Sequence, residues 1–150
     1  APVVEMKQAG IPVALGTDGC ASNDLLDMWE EMRQAVLLAR VTTGRAEALS
    51  PRDAFQMATV EAARAARLEA GELQPGRLAD LAILDLQSVH LQPFHEQDPI
   101  NMLVFCARAD DVRDTIINGK VVMRNRRLAL VNEMDLLQEV SSLKAEFAIH

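Results

Sequence analysis

The chain has 150 residues, 49% hydrophobic and 25% charged, a composition that fits one folded domain with a real core and excludes a disordered chain. Its formal net charge of -7 argues against a nucleic-acid polymer as partner, because phosphate contacts need clustered Lys and Arg. No apolar run approaches the roughly 20 residues of a membrane helix, which excludes a membrane partner of that kind, and Cys20 and Cys106, far apart, form no disulfide framework and point to a reducing cytoplasmic setting.

In chain order, Ala1-Pro2 opens the sequence without Met and without the basic, apolar and small-residue pattern of a signal peptide. Val3, Val4, Met6 and Gly10 read as a helix ending at Gly10. The chain thus starts inside an element, as expected of a fragment of a longer protein, with a native processed terminus as the alternative. Ile11 to Leu15 is a short apolar run without polar alternation, which predicts a strand buried on both faces, as in a parallel sheet. The run delivers Asp18 at its C-terminal end, with Gly16 and Gly19 leaving room around it. A polar residue there is where α/β barrels do chemistry. Capping of a turn or of the next helix is the competing role for Asp18.

Ser22 or Asn23 is expected to cap a helix in which Leu25, Trp29, Met32, Val36 and Ala39 share one apolar face. That stripe reads as core rather than as a ligand pocket. Ser50, Pro51 and Asp53 predict a capped helix start, followed by an alanine-rich segment to about Leu68, with Thr59 able to cap a second short helix.

After Gly71 the character changes. Pro75-Gly76 predicts a type II turn. Leu78 to Leu86 reads as a strand with Asp80 at its start and Ile83 and Leu84 buried. Ser88 to Pro99 reads as a polar surface loop holding His90 and His95, followed by a short apolar segment from Met102 to Cys106. Val112 to Ile117, Asn118-Gly119 and Lys120 to Met123 predict a β-hairpin with a type I′ turn. Arg124, Arg126 and Arg127 read as a solvated turn, and Asn132 starts a last helix whose apolar face is Leu136, Leu137, Val140, Leu143 and Phe147.

Several chemistries are absent from the sequence. It has no phosphate-binding loop, no dinucleotide glycine fingerprint and no nucleophile elbow. Neither Cys lies in a paired motif, so a cytidine-deaminase type of zinc site is excluded. His90 and His95 are better placed in a surface loop than at a metal, and His150 is terminal.

Gly16-Thr17-Asp18-Gly19 with Ser22-Asn23, then Asp27-Met28-Trp29-Glu30-Glu31-Met32-Arg33, resembles the end of the barrel in the amidohydrolase superfamily. Ser50-Pro51 and Ala58-Thr59 match the helices after it. The stretch from Gly71 to Asp85 resembles the return into that family's small β-sandwich, and Val112 to Val122 its last hairpin. Within the superfamily the sequence is most similar to methylthioadenosine/S-adenosylhomocysteine deaminases and triazine chlorohydrolases.

The resemblance implies an α/β fold: the C-terminal part of a (β/α)8 metal-dependent hydrolase barrel, part of a small β-sandwich and a C-terminal helix. Residues 1–68 would be the last strand and helices of the barrel, 69–131 the β-sandwich portion and 132–150 the C-terminal helix. It implies one divalent metal, zinc or else iron, with Asp18 as the ligand after the last strand. Such a metal lowers the pKa of bound water to about 7. Asp18 would then take the water's proton and return it as the hydroxide displaces ammonia from the adenine ring of a nucleoside-type substrate. The family's His-x-His pair, its other His ligands and its acidic proton shuttle are missing, and one strand cannot close an eight-stranded barrel. The expectation is therefore a metal-dependent aminohydrolase represented by its C-terminal portion, inactive without the N-terminal part of the parent. Related chlorohydrolase or guanine-type deaminase chemistry, and a non-catalytic folded or interaction module, are the alternatives. Homo-oligomerisation is expected as well, because truncation would expose Leu25, Trp29 and Met32.

Overall fold

The computed structural model describes residues 1–147, with side chains described through Leu143. Six helices and a four-stranded sheet are assigned in it: α1 (Val3–Gln8), α2 (Met28–Thr43), α3 (Pro51–Ala58), α4 (Val60–Ala65), β1 (Leu81–Leu84), α5 (Pro99–Cys106), β2 (Val112–Ile117), β3 (Lys120–Arg124), β4 (Arg127–Leu128) and α6 (Glu133–Phe147). No described helix is long and apolar enough to cross a membrane.

The core is built by α2, α3 and α5. Met32, Val36 and Ala39 of α2 meet Leu49, Ala54 and Met57 around α3 and Val104 of α5, all buried, with Trp29 packed partly buried against them. The expected apolar stripe of α2 is therefore core at Trp29, Met32, Val36 and Ala39. Each large side chain so buried contributes roughly 1.5–3 kcal/mol relative to exposure. Leu25 alone of the three residues expected to be bared is exposed; Met32 is 3% exposed, covered by this chain's own α3 and α5.

Capping follows local chemistry. Ser50 and Asp53 form the predicted reciprocal box, and Pro51 takes the first helical position. The cap of α2 is neither Ser22 nor Asn23 but Asp27, whose carboxylate accepts from the N–H groups of Trp29 and Glu30. The helix begins only at Met28, after a separate turn over residues 19–23. Thr59 precedes α4, yet its hydroxyl donates back to the Phe55 carbonyl at 2.7 Å and caps nothing.

The expected strand at Ile11–Leu15 is not formed. The segment is extended but belongs to no sheet, Ile11 is 48% exposed, and Leu15 N–H donates to the Met57 carbonyl on α3. A strand needs a neighbour to receive its backbone groups, and the described sheet lies elsewhere in the chain. That sheet is antiparallel throughout, in the order β1-β2-β3-β4. Asn118 and Gly119 join β2 to β3 with φ of 49° and 75°, the type I′ geometry expected. The Asp80 carboxylate accepts from Asn118 N–H at 2.6 Å and ties the turn to the approach of β1. β1 is shorter than expected, and Ile83 is 38% exposed rather than buried.

Two further readings change. Met102 to Cys106 belongs to α5, started by Pro99 and capped by Asp98, which accepts from Asn101 N–H. The apolar face of α6 is uncovered: Leu136, Leu137, Val140 and Leu143 are all exposed. The Phe147 side chain and His150 lie outside the described residues.

Candidate functional site

Asp18 stands where the extended segment ends. Its φ of 59° is left-handed, a conformation that Asp and Asn tolerate better than most residues. The carboxylate is exposed, and its Oδ1 accepts from Gly19 N–H at 2.8 Å. A methyl group added at Gly16 or Gly19 would meet nothing within 4 Å, so the surroundings of the carboxylate are open on both sides. Asp18 caps no helix, since Asp27 fills that role for α2. This removes helix capping as a competing role for Asp18, while its bond to Gly19 N–H keeps it at the start of a turn.

The turn after Asp18 is closed by backbone bonds from Ser22 and Asn23 N–H to the Gly19 carbonyl. Asn23 then accepts from Leu25 N–H with Oδ1 and donates through Nδ2 to Glu31 Oε1 on α2 at 2.6 Å. Further on, Asp27 Oδ2 accepts from Ala109 N–H. Arg33 donates to the carbonyls of Phe105 and Ala107, joining α2 to the end of α5.

A second polar centre was not legible in sequence. Asp111, 2% exposed, is the buried charged residue of the described core. Its Oδ1 accepts from the Ser88 hydroxyl at 2.9 Å, and its Oδ2 accepts from Arg108 N–H and meets His90 Nε2, each at 2.9 Å. Burial alone would raise this carboxyl. The bonds from His90, Arg108 and Ser88 more than offset that and hold it below the usual carboxylate value. Ser88 bonds the carboxylate and not the imidazole, so the trio is a satisfied structural network rather than an activated nucleophile. His90 thus sits in a short helical turn at Val89–Leu91, pinned to Asp111, while His95 is exposed in the following loop as expected. Arg124 and Arg127 border the exposed turn between β3 and β4, and Arg126 within it pairs with Asp85.

Among the described residues no group of three or more His, Cys, Asp or Glu converges to hold a metal ion. Asp18 offers one oxygen donor, whereas a catalytic zinc takes about three protein ligands. The donor set of this chain by itself therefore does not fit such an ion; it fits one corner of a site.

A carboxylate at the end of an apolar extended segment, helices after it and an antiparallel sheet beyond are the parts of an amidohydrolase. The chain belongs to the amidohydrolase family, whose model matches residues 1–122. It is 42% identical over 146 residues to a 5'-deoxyadenosine deaminase of Methanosarcina acetivorans, covering 97% of this chain and 33% of that protein. It is 49% identical over 140 residues to a 5-methylthioadenosine/S-adenosylhomocysteine deaminase of Pelotomaculum thermopropionicum, covering 93% and 32%. Among solved structures, it is similar to an adenosine deaminase from Xanthomonas campestris with bound zinc, with a TM-score of 0.92, 31% identity and coverage of 100% and 34%. An atrazine chlorohydrolase from Arthrobacter aurescens complexed with zinc matches with a TM-score of 0.86, 33% identity and coverage of 95% and 32%. The chain thus spans about a third of the length of the curated relatives it matches.

Proposed function

We propose that this chain is the C-terminal portion of a metal-dependent, cytoplasmic aminohydrolase that deaminates the adenine ring of methylthioadenosine, S-adenosylhomocysteine or a close 5'-substituted adenosine. In the complete protein residues 1–68 would supply the helices and, with Ile11–Leu15 paired to strands outside this chain, the last strand of its barrel, 69–131 part of a small β-sandwich, and 132–150 a C-terminal helix. The observation that carries the reading is Asp18: an exposed, uncapping carboxylate held left-handed at the end of Ile11–Leu15, in the position that the family resemblance gives to a metal ligand. The deaminase names of the relatives and the zinc in two solved neighbours support the substrate class and the metal. A zinc ion at such a site supplies Lewis acidity toward water. In the complete protein Asp18 would contribute one carboxylate there and would accept a proton. The other ligands come from the N-terminal part of the parent, and the 150-residue chain alone is inactive.

The test is metal analysis with an ammonia-release assay on methylthioadenosine and S-adenosylhomocysteine, run on the complete protein beside this chain. The reading predicts about one metal ion and ammonia release from the complete protein, and neither from the chain. Metal without ammonia would sink the substrate class and leave chlorinated triazines and guanine-type bases to assay. A complete protein without metal would return Asp18 to a purely structural turn.

A further inference from the structure

Between Asp18 and Leu26, Asn23 is the one residue that is not exposed. It is also the residue through which the turn is fastened to the rest of the molecule. Its backbone N–H closes the turn on the Gly19 carbonyl at 3.0 Å. Its Oδ1 accepts from Leu25 N–H at 3.2 Å, and its Nδ2 donates to Glu31 Oε1 at 2.6 Å across eight residues. Glu31 is itself fixed by its place in the first turn of α2, where its N–H donates to the Asp27 carbonyl. Opposite this fastening, Gly19 bonds the Asp18 carboxylate and Gly16 and Gly19 carry no side chains to wedge the turn in place. A left-handed Asp in an open loop keeps its direction only if its surroundings hold it, since that backbone region is sparsely populated by non-glycine residues.

We propose that Asn23 and Glu31 are positioning residues, a polar clasp that fixes the turn carrying Asp18 to α2 and so sets the direction of its carboxylate. The clasp itself stands on this chain's own hydrogen bonds. Only its consequence for catalysis rests on the function proposed above. Charge-assisted bonds of this kind are stronger than neutral ones, and Asn alone among the turn residues supplies both the acceptor for Leu25 and the donor for Glu31.

The clasp can be reversed in polarity without changing its size. Asn23→Asp keeps the oxygen that accepts from Leu25 N–H but loses the donor and sets a carboxylate against Glu31. Combining it with Glu31→Gln restores a donor on the other partner. Hydrogen–deuterium exchange of peptides spanning residues 16–26 is measured on the complete protein, together with kcat and KM for ammonia release. In Asn23→Asp, exchange of the turn amides is expected to rise about tenfold, as for loss of a bond to a charged group. Peptides from α3 should be unchanged, kcat should fall with little change in KM, and Asn23→Asp/Glu31→Gln should recover both readouts. Unchanged exchange in Asn23→Asp, or no recovery in the double variant, overturns the clasp. Faster exchange with unchanged kcat overturns its positioning role. If the unsubstituted protein releases no ammonia, the proposed function fails, and exchange alone still decides whether the clasp exists.

Discussion

Replacing Asp111 with Asn tests the buried polar centre at constant side-chain size. Asp111 presents two carboxylate oxygens to three partners: the Ser88 hydroxyl on Oδ1, and Arg108 N–H and His90 Nε2 on Oδ2. Asn has one acceptor oxygen. With that oxygen kept on Ser88, its amide group faces the Arg108 N–H, and two donors confront each other in a site that is 2% exposed. The loss combines a charge-assisted bond, about 1.5–3 kcal/mol, with a buried donor left unpaired, about 1–3 kcal/mol; about 3 kcal/mol is expected. For a protein of this size that lowers Tm by roughly 6–12 °C. Urea unfolding followed by circular dichroism, together with a thermal scan, measures it. A loss below about 1 kcal/mol would show that the network costs as much in desolvation as it returns, as some buried ionic groups do.

The same carboxyl sets a pH dependence. Its folded value lies below its unfolded value, so its contribution is fully present above the unfolded pKa of about 3.9 and is lost as pH falls through the lower folded value. Stability measured from pH 7 down to pH 3 should fall at the acid end, and Asp111→Asn should flatten that fall. Gly71→Ala is expected to cost about 2–4 kcal/mol, because Gly71 has a φ of 83° and an added Cβ would lie 2.8 Å from the Thr59 carbonyl oxygen. Gly19→Ala, with nothing within 4 Å, should cost under about 0.5 kcal/mol in the same unfolding assay. Arg33→Lys is expected to lose about 1–2 kcal/mol, since an ammonium cannot fork to the carbonyls of Phe105 and Ala107 as the guanidinium does. An unchanged urea midpoint would show those bonds to be incidental.

What the sequence disclosed was the local chemistry. Ser50-Pro51-Arg52-Asp53 and Asn118-Gly119 specify their cap and turn within a few residues, and both form as read. The stripe of α2 was readable because helical spacing alone places Met32, Val36 and Ala39 on one face. Ile11–Leu15 failed as a strand because strand formation depends on a partner that the residues themselves do not name. α5 was missed although Asp98-Pro99 carries a start signal, because its apolar run is short and nearly uniform. The site divides in the same way. Asp18 is visible from its place after an apolar run, whereas the Asp111 network joins Ser88 and His90 to Asp111 across more than twenty residues that include α5, with no spacing rule to reveal it. Asn23 reads in sequence as a helix cap; its reach to Glu31 depends on α2 starting at Met28, with the cap at Asp27.

The most direct test of the account is the zinc content and ammonia release of the complete protein carrying Asp18→Asn, beside the unsubstituted protein. About one zinc ion and deamination of methylthioadenosine are expected in the unsubstituted protein. In the variant, zinc retention on dialysis should weaken and kcat should fall by at least about a hundredfold, the lower range for loss of a positioned acid–base group. Equal zinc retention and equal kcat in the two proteins would contradict this, because Asp18 would then neither hold the metal nor move a proton.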